Sequence, residues 1–329
     1  MAITMEELAA LAKVSQSSVS LVLNGKGDGR IAKTKQEKIR RLAELHNYRP
    51  NLNARSLITR KSHEIGVLSF NTHDRFYADI LPEIQLQLMQ RGYIGINLFW
   101  SSCPEAEMVF EAVLARGVAG VITFHEDLSL LPPGVPAILC KIDNPAYDRV
   151  IFDMEAALRE SISYLIGLGH RKIGYIGKTD TDPRYKVYCK ILSEFGLQVN
   201  PEWIGSLKTS ALFFQSAYDC AMEFLQRPDR PTAVIAKSDA GAIAAISAAS
   251  KLGIRIPEDL SIIGANNIEE TMYTVPPLTT HGCDIKLLAK KLTEILFKRL
   301  ENPQLPPIKK IIETQLIIRN SCKQLNGAP

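Results

Sequence analysis

The stretch that decides the fold of the N-terminal region is Met5–Asn24, MEELAALAKVSQSSVSLVLN. Thr4 and Glu7 have the spacing of a capping box, which marks the beginning of a helix. Ser15 is placed to cap a second helix, and apolar residues recur at helical spacing behind each cap. The stretch therefore predicts two short helices that are joined by a tight turn around Val14.

The second of these helices begins with a run of polar residues. A helix-turn-helix unit places the N-terminus of such a helix in the DNA major groove, while its apolar face packs on the first helix. An ordinary helical hairpin with a polar edge is the alternative, because so short a pattern also occurs by chance. The residues that we expect to contact DNA from this region and the segments after it are Thr4, Ser15, Gln16, Ser17, Ser20, Asn24, Lys26, Arg30 and Tyr48.

Charge is distributed unevenly along the chain. Residues 1–61 contain twelve Lys and Arg against five Asp and Glu, whereas the remaining residues contain 27 against 30. A basic N-terminal segment followed by a mildly acidic remainder predicts a polyanionic partner for that segment alone. A solvated charged surface is the alternative, and the size of the imbalance makes it the poorer explanation.

A third helix is predicted after a glycine-rich basic loop. Thr34 and Glu37 form a second candidate capping box, and Pro50 prevents the helix from continuing into the next segment. The residues expected on its buried face are Ile39, Leu42, Ala43 and Leu45. Three helices around one small core predict a DNA-binding head at residues 1–49.

From residue 63 onward the sequence alternates between strand and helix patterns. Buried strands are predicted at 64–70, 94–99, 120–124, 137–142, 172–176, 232–236 and 260–264. Such alternation indicates parallel sheets that are covered by helices on both faces. The alternation restarts after about residue 154, so two lobes are expected. Ligands bind at the carboxyl ends of parallel strands, and two facing sheets would therefore enclose a cleft.

Composition favours an intracellular binding protein over a membrane protein or an enzyme. The sequence of 329 residues is 46% hydrophobic and 22% charged, contains no apolar run long enough to span a bilayer and lacks a signal peptide. Its six cysteines contain no CxxC pair, which favours reduced thiols, a cytoplasmic location and no metal or other cofactor. GxSxG, HExxH, Walker and GxGxxG patterns are absent from suitable contexts, so no catalytic activity is expected.

The segments VSQSSVSLVLN at 14–24 and NYRPNLNARSL at 47–57 resemble the DNA-binding domain and hinge of the LacI/GalR family of bacterial transcription regulators. In that family the linker becomes helical on operator DNA, and a leucine is wedged into the central base step of the minor groove. Leu57 falls at that position, although a linker leucine packed on the core is the alternative. The linker, at 50–62, also contributes Asn51, Ala54 and Arg55 as residues expected to contact DNA.

The rest of the chain resembles the periplasmic-binding-protein-like effector domain of the same family, and we refer to residues 63–320 as the body. The resemblance is carried by LGHRKI at 168–173, GIRIPEDLSIIG at 253–264 and PPLTT at 276–280. The family chain crosses between the lobes three times. The resemblance implies an N-lobe at about 63–152 and 283–308, a C-lobe at about 153–282 and 309–320 with a strand near 311–318, and a short tail at 321–329.

The resemblance also implies which body residues would bind an effector. Arg184 falls where the family places an effector-binding arginine, and Phe152 falls where an aromatic ring often packs on a sugar. Asn266 stands where an aspartate usually accepts sugar hydroxyl groups. The full set expected to line the cleft is His73, Phe76, Tyr77, Lys141, Phe152, Arg184, Lys208, Ser238, Asp239 and Asn266.

Cations outnumber carboxylates among these positions. Carboxylates suit neutral sugars because they accept hydroxyl protons, whereas Lys141, Lys208 and Arg184 favour an anionic ligand such as a sugar phosphate or a sugar acid. An internal ion pair between Lys141 and either Asp143 or Asp153 is the alternative, and it would leave a neutral sugar as the effector.

We therefore expect a transcription regulator, most simply a repressor, that binds a pseudo-palindromic operator as a homodimer. Its operator affinity would depend on a small carbohydrate-derived effector held between the lobes. A solute-binding protein with the same body fold and no gene-regulatory role is the alternative, and titration with duplex DNA separates the two.

Overall fold

The computed structural model describes residues 3–48, 62–70, 75–100, 103–125, 129–132, 134–178, 183–207 and 213–325. The chain divides into two compact units, Met1–Ser62 and His63–Pro329. The predicted hinge residues Asn51, Ala54, Arg55 and Leu57 and the predicted effector residues His73 and Lys208 lie outside the described residues. Among the helices of these ranges, none combines the length and the apolar character that crossing a membrane requires.

The head consists of three helices, α1 (Met5–Ala12), α2 (Gln16–Leu23) and α3 (Lys33–Leu45). The two caps predicted for the first pair are present. Thr4 Oγ1 accepts a hydrogen bond from Glu7 N at 3.2 Å, and a Glu7 carboxylate oxygen accepts one from Thr4 N at 2.8 Å. Ser15 Oγ accepts one from Ser18 N at 3.3 Å. These bonds use backbone N–H groups that the first turn of a helix leaves without an internal partner.

The second predicted capping box, at Thr34 and Glu37, is wrong. Helix α3 begins at Lys33, and its N-cap residue Ala32 makes no side-chain capping bond. The buried Gln36 side chain turns back to the preceding loop instead, where Nε2 donates to Ile31 O at 2.9 Å. Contact with that loop therefore replaces a cap at the start of the helix.

Fewer residues are buried in the core of the head than the sequence pattern predicted. Leu8 on α1, Val19 on α2 and Ile39 on α3 are at most 1% exposed and meet in one cluster. The prediction that Leu45 is buried is wrong, because its side chain is 72% exposed. Leu45 lies two residues after the buried Ala43, which turns it about 200° around the helix and away from the core.

The N-lobe has a six-stranded parallel sheet in the order β11-β5-β4-β3-β1-β2. Its strands are β1 (Glu64–Phe70), β2 (Ile94–Trp100), β3 (Gly120–Thr123), β4 (Ala137–Cys140), β5 (Asp148–Phe152) and β11 (Lys309–Ile312). Helices α4 (Arg75–Met89), α5 (Cys103–Ala115) and α10 (Ile285–Glu301) belong to this lobe. Helix α10 packs through Leu288, Leu292 and Leu296, which recur every four residues and are fully buried with β1 and α4 in the core.

The C-lobe has a second six-stranded sheet in the order β12-β10-β9-β8-β6-β7, in which β12 alone is antiparallel to its neighbour. Its strands are β6 (Ile173–Lys178), β7 (Ile204–Ser206), β8 (Ala233–Ala236), β9 (Ser261–Ala265), β10 (Thr279–Gly282) and β12 (Gln315–Ile317). Its helices are α6 (Met154–Gly167), α7 (Pro183–Glu194), α8 (Phe213–Leu225) and α9 (Asp239–Lys251), with 3-10 turns at Pro201–Trp203 and Glu269–Met272.

The last crossing between the lobes lies later in the chain than the resemblance implied. The single C-lobe strand expected near 311–318 is in fact two strands that belong to different lobes. Strand β11 pairs with β5 in the N-lobe, where Ile312 lies opposite Phe152, and β12 pairs with β10 in the C-lobe. The crossing follows Ile312, which is 2% exposed and is held in the N-lobe core. The expected boundary at residue 308 is therefore wrong.

Candidate DNA-binding surface and effector cleft

The N-terminus of α2 is the exposed polar surface of the head. Gln16 and Ser17 are exposed, whereas Val19 and Val22 on the opposite side of the same helix are at most 2% exposed. Burying a valine stabilises a fold by about 1.5–3 kcal/mol, so this apolar side fixes which residues α2 presents outward. The structure thus places Gln16 and Ser17 on the exposed side of α2, as the prediction that they contact DNA requires.

Other predicted DNA-contacting residues have partners within the head. Ser15 is used as the α2 cap, and its Oγ also lies 2.8 Å from Ser17 Oγ. At the end of α2, Asn24 Nδ2 donates to Ser20 O at 2.7 Å. Tyr48 packs against the core of the head, and burial raises the pKa of its hydroxyl group. These contacts fix the orientation of polar groups at the edge of the exposed surface of α2.

The loop between α2 and α3 adds positive charge to the same unit. Lys26 and Arg30 are exposed, as expected of phosphate-contacting residues. Gly25 and Gly29 have φ values of +70° and +71°, a backbone conformation that glycine adopts without steric cost. Four further lysines of the head were not predicted to contact DNA but are exposed as well: Lys13, Lys33, Lys35 and Lys38.

In the body, the candidate cleft lies where the parallel strands of both sheets end. A cavity of about 590 Å³ is bounded by both lobes. It is lined by Arg75 and Ala78 of α4 and by the C-lobe residues Phe214, Ala240, Ile243, Ile268, Glu270, Tyr273 and Thr274. Arg75 also bridges the lobes, since its guanidinium nitrogens lie 3.6 Å from Glu270 Oε1 and 3.8 Å from Glu269 Oε2.

An aromatic cluster at the carboxyl ends of the N-lobe strands, which we call the N-lobe wall, holds one of the predicted cations. Lys141 follows β4 with a φ of +69°, and its Nζ lies 3.4 Å from the ring centroid of Phe76 and 5.5 Å from that of Phe152. Cation–π attraction of this kind is worth about 0.5–2 kcal/mol and holds the ammonium group over the rings. Phe76 is only 2% exposed, so its role is to support Lys141 and not to touch a ligand as predicted.

The remaining aromatic residues extend this wall. Tyr77 meets the ring of Phe124 edge-on at 5.2 Å, and Phe76 meets Phe152 edge-on at 6.5 Å. Tyr77 and Phe152 are half-buried and lie at the start of α4 and the end of β5. They are therefore the two predicted aromatic residues that are only partly buried.

The two carboxylates considered as partners for Lys141 are engaged elsewhere. Asp143 accepts hydrogen bonds from Arg149 Nε at 2.5 Å and Lys309 Nζ at 2.7 Å, and these cations lower the pKa of its carboxyl group. Asp153 accepts from Ala156 N at 2.9 Å as the N-cap of α6. Both carboxylates thus have hydrogen-bond partners other than Lys141.

On the C-lobe side, Arg184 lies in the first turn of α7. It is half-buried, and its Nη1 donates to Lys237 O at 3.1 Å. Ser238 is 4% exposed because its Oγ accepts from Gly241 N and caps α9. The side chain of Ser238 is therefore turned into the lobe, and the prediction that it contacts an effector requires a correction.

Asp239 requires the same correction. Its side chain is fully buried, and its carboxylate accepts hydrogen bonds from Ile268 N at 2.9 Å and from Thr280 Oγ1. A Cβ atom on Gly264 would clash with Asp239 Oδ1, which shows how closely the strand passes over this group. Asp239 therefore anchors the loop after β9 and does not face the cleft.

That loop carries Asn266, the uncharged residue at the position where the family has an aspartate. Asn266 and Asn267 have φ values of +110° and +54°, and Asn266 N donates to His281 O at 2.6 Å. Asn267 Oδ1 accepts from Arg319 Nη2 at 2.8 Å, which ties it into the lobe. Asn266 is half-buried, and its contact with an effector stays a prediction.

Two lysines at the carboxyl ends of C-lobe strands, Lys178 and Lys237, were not predicted from the sequence, and we call the backbone around them the C-lobe wall. Lys178 is the last residue of β6, and Lys237 follows the last residue of β8. Both are half-buried. Each of them follows or ends an apolar run that forms a strand. That feature could have identified them in the sequence, because parallel strands present residues to ligands from their carboxyl ends.

Comparison with known proteins agrees with this architecture. Residues 4–51 match the bacterial regulatory proteins of the lacI family, and residues 162–322 match the periplasmic binding protein-like domain. The chain is 30% identical to the HTH-type transcriptional repressor PurR of Pasteurella multocida, over 97% of this chain and 98% of that protein. It is also 30% identical to the ribose operon repressor of Haemophilus influenzae, over 98% and 99% of the two chains.

Among solved structures, the lac repressor dimer bound to operator and the anti-inducer ONPF is similar with a TM-score of 0.88. That comparison covers 98% of this chain and 100% of the lac repressor chain at 23% identity. The match of the head, the match of the body and the end-to-end similarity to curated repressors lead to one conclusion. This chain belongs to the lacI family of bacterial regulatory proteins.

Proposed function

We propose that this protein is a transcriptional repressor that binds a pseudo-palindromic operator as a homodimer and responds to a small effector held between its lobes. The observation that carries the proposal is the exposed polar N-terminus of α2 on a basic head, in the same chain as a two-lobed body with a cavity bounded by both lobes. The repressors PurR and ribose operon repressor among its relatives support it, as does the lac repressor dimer bound to operator.

Each part of the head has a role in this proposal. Gln16 and Ser17 read base edges in the major groove, while Lys26, Arg30 and the other exposed cations contact phosphates. The linker at 50–62 forms the hinge, with Leu57 as the wedge at the central base step and Asn51, Ala54 and Arg55 beside it. Phosphate contacts supply affinity that depends on salt, and base contacts supply sequence preference.

The body couples effector binding to DNA binding. An effector that favours one arrangement of the lobes changes the relative position of the two linkers in the dimer, and with it the stability of the paired hinges. A coupling free energy of about 1–3 kcal/mol is sufficient to change operator affinity 5- to 150-fold. We propose a carbohydrate-derived effector, and the position of Lys141 over Phe76 supports an anionic one.

Binding-site selection with the full chain tests the DNA-binding role. From a library of random duplexes, we expect enrichment of a site whose two halves are related by two-fold symmetry and spaced by whole helical turns. Gln16→Ala should relax the preference at one base pair of each half-site by about 1–3 kcal/mol, as a lost base contact does. Leu57→Ala should lower specific affinity while the protein remains folded. Gln90→Ala, an exposed glutamine change in the body, is the matched control.

Retention of duplexes without any sequence preference would contradict this function, and no retention of duplexes at all would favour the solute-binding alternative. The effector claim has a separate test. We expect thermal stabilisation of the protein by sugar phosphates or sugar acids that Lys141→Ala weakens, together with a change in operator affinity on addition of the same compound. Stabilisation by a neutral sugar, with Lys141→Ala unchanged, would show instead an ordinary sugar-responsive regulator.

A further inference from the structure

We infer that Gln36, a buried residue of α3, is a positioning residue for DNA binding, because it holds the loop between α2 and α3 so that Lys26 and Arg30 contact phosphate groups of the duplex. This inference rests on the proposed function and deepens it, since it assigns the phosphate contacts of that loop to one support inside the head. Gln36 is 3% exposed, so it acts through the loop and not by touching DNA itself.

The first support is that the Gln36 side chain holds the loop at two places. Its Nε2 donates to Ile31 O at 2.9 Å and to Asp28 Oδ1 at 3.2 Å. Its Oε1 accepts from Arg40 Nη2 at 3.4 Å, about one turn later on α3. A buried amide that loses its partners carries a free-energy penalty, so these bonds favour a loop that stays against α3.

The second support is the packing of the loop backbone against the same side chain. Gly27 is buried, and a Cβ atom on it would lie 3.1 Å from Gln36 Cδ and 3.2 Å from Val22 Cγ2. Glycine therefore lets the loop pass closer to Gln36 than a residue with a side chain would. Gly27 O accepts from Ile31 N at 2.9 Å and from Arg30 N at 3.2 Å, which closes a turn between these residues.

The third support is where the two cations lie relative to these contacts. Lys26 immediately precedes Gly27, and Arg30 immediately precedes Ile31. Each cation is therefore attached to a part of the backbone that Gln36 contacts directly. Both cations are exposed. A loop that is fixed before binding loses less conformational entropy when its side chains contact DNA, so the support from Gln36 favours those contacts.

The balance of charge identifies the partner of the loop. Residues 25–32 contain two cations and one carboxylate, Asp28, which is the group that Gln36 binds. The head has five acidic residues, all of which the structure describes, and neither Lys26 nor Arg30 forms an ion pair with any of them. Phosphate groups of a nucleic acid would supply that countercharge.

The salt dependence of DNA binding by the full chain tests the inference, because each phosphate contact adds about 0.9 to the slope of log affinity against log salt concentration. The probes are the duplex enriched in the binding-site selection and a duplex of equal length and unrelated sequence. Gln36→Met keeps an unbranched side chain and removes the donor to the loop. Gly27→Ala displaces the loop from its other side. Ile39→Val is the matched control, since it removes one buried methyl group from α3 and leaves the loop contacts of Gln36 in place.

We expect Gln36→Met and Gly27→Ala to weaken binding of both duplexes several-fold and by a similar factor, because phosphate contacts do not depend on sequence. The salt slope should fall by about two, which corresponds to one lost phosphate contact in each head of a dimer. Ile39→Val should leave the slope unchanged. Circular dichroism checks that each variant is folded, and Gly27→Ala decides the outcome if Gln36→Met is not.

A second comparison separates positioning from a general weakening of the head. In a chain that carries Lys26→Ala and Arg30→Ala, the two loop variants should have no further effect on affinity for either duplex. The inference is overturned if they weaken binding equally with and without the two cations, if they leave the slope unchanged, or if Ile39→Val lowers it as much. Selection of a symmetric site by the unchanged protein tests the proposed function separately, so a failed slope test with intact selection leaves that function standing.

Discussion

The two walls of the cleft hold their cations by different means. On the N-lobe wall, Lys141 lies over the rings of Phe76 and Phe152, an attraction that tolerates small shifts of the ammonium group. On the C-lobe wall, Lys237 lies against the backbone of Gly177, where packing leaves little room for displacement. We therefore expect the N-lobe wall, around Lys141, to adapt to a ligand, whereas the C-lobe wall, around Lys237, is preorganised.

The largest effect is expected from removing the ion pair that supports the N-lobe wall. Arg299 Nε and Nη2 donate to the two carboxylate oxygens of Asp148 at 2.7 and 2.8 Å, and their side chains are 13% and 2% exposed. Arg299→Ala leaves a buried carboxylate at the start of β5, the strand that ends at Phe152. We expect the free energy of unfolding to fall by about 3–5 kcal/mol, measured by urea denaturation. Lys298→Ala, a neighbouring exposed change, should have little effect, and equal losses would contradict the assignment.

Gly177→Ala tests the preorganised wall directly. The new Cβ combines a left-handed backbone conformation with contact against Lys237, and we expect a loss of about 2–3 kcal/mol. Gly253→Ala is the control, because Gly253 has a φ of +71° and a Cβ atom added there would have nothing within 4 Å, so its cost should be about 1 kcal/mol. Binding of an anionic compound that stabilises the protein, such as a sugar phosphate or a sugar acid, should weaken in Gly177→Ala and not in Gly253→Ala. Equal stabilities and affinities would show that Lys237 does not depend on the glycine.

Phe76→Leu tests the adaptable wall. Phe76 and Phe124 both belong to the N-lobe core, and each substitution should cost about 1–2 kcal/mol of stability. The ring of Phe76, however, lies beneath Lys141. Phe76→Leu should therefore weaken anion binding several-fold more than Phe124→Leu does, in titrations followed by calorimetry. Equal weakening would show that general packing, and not the cation–π contact, positions Lys141.

The sequence predicted strands that read as mainly apolar runs and missed β5, which contains buried charge. Strands β1 and β4 appear as apolar runs, whereas β5 begins with Asp148 and Arg149, which look like loop residues. They are 3% and 8% exposed because each has an ion-pair partner from a different element or loop. A local pattern cannot show such a partner. The same limit applies to the final crossing, since 309–317 is strand-like throughout and its division between the lobes is decided by tertiary packing.

Three of the predicted effector residues lie at the ends of elements: Lys141 follows β4, Phe152 ends β5 and Arg184 lies in the first turn of α7. Their contact with an effector stays a prediction. Asp239 was misjudged because only the fold shows that it turns inward to Thr280. Lys237 was overlooked because its position depends on Gly177, sixty residues earlier in the chain.

Acid should weaken the C-lobe through its buried histidines. Burial lowers the pKa of His170 and of His281, which are 1% and 6% exposed, although Glu160 opposes part of the shift at His281. The unfolded chain takes up these protons near pH 6.5, before the folded chain does. Stability is therefore present above about pH 6.5 and is lost as pH falls toward the folded values, by at most about 1.4 kcal/mol per pH unit for each histidine. Urea titrations between about pH 7.5 and 5.5 should show this slope, and His170→Asn with His281→Asn should flatten it.

The smallest effect is expected at the rim of the cleft, where Arg75 spans both lobes. Its side chain is 44% exposed, and Glu269 and Glu270 are 62% and 49% exposed, so water and salt screen both ion pairs. Arg75→Gln should change the dissociation constant of the same anionic compound by less than about threefold. Salt at about 0.5 M should abolish the difference between the variant and the unchanged protein. Lys290→Gln removes a comparable exposed charge whose partner Glu294 lies on the same helix, and it should not alter binding at either salt concentration. A tenfold change in the dissociation constant of Arg75→Gln that persists in high salt would show that Arg75 at the rim, and not Lys141 or Lys237, controls ligand binding.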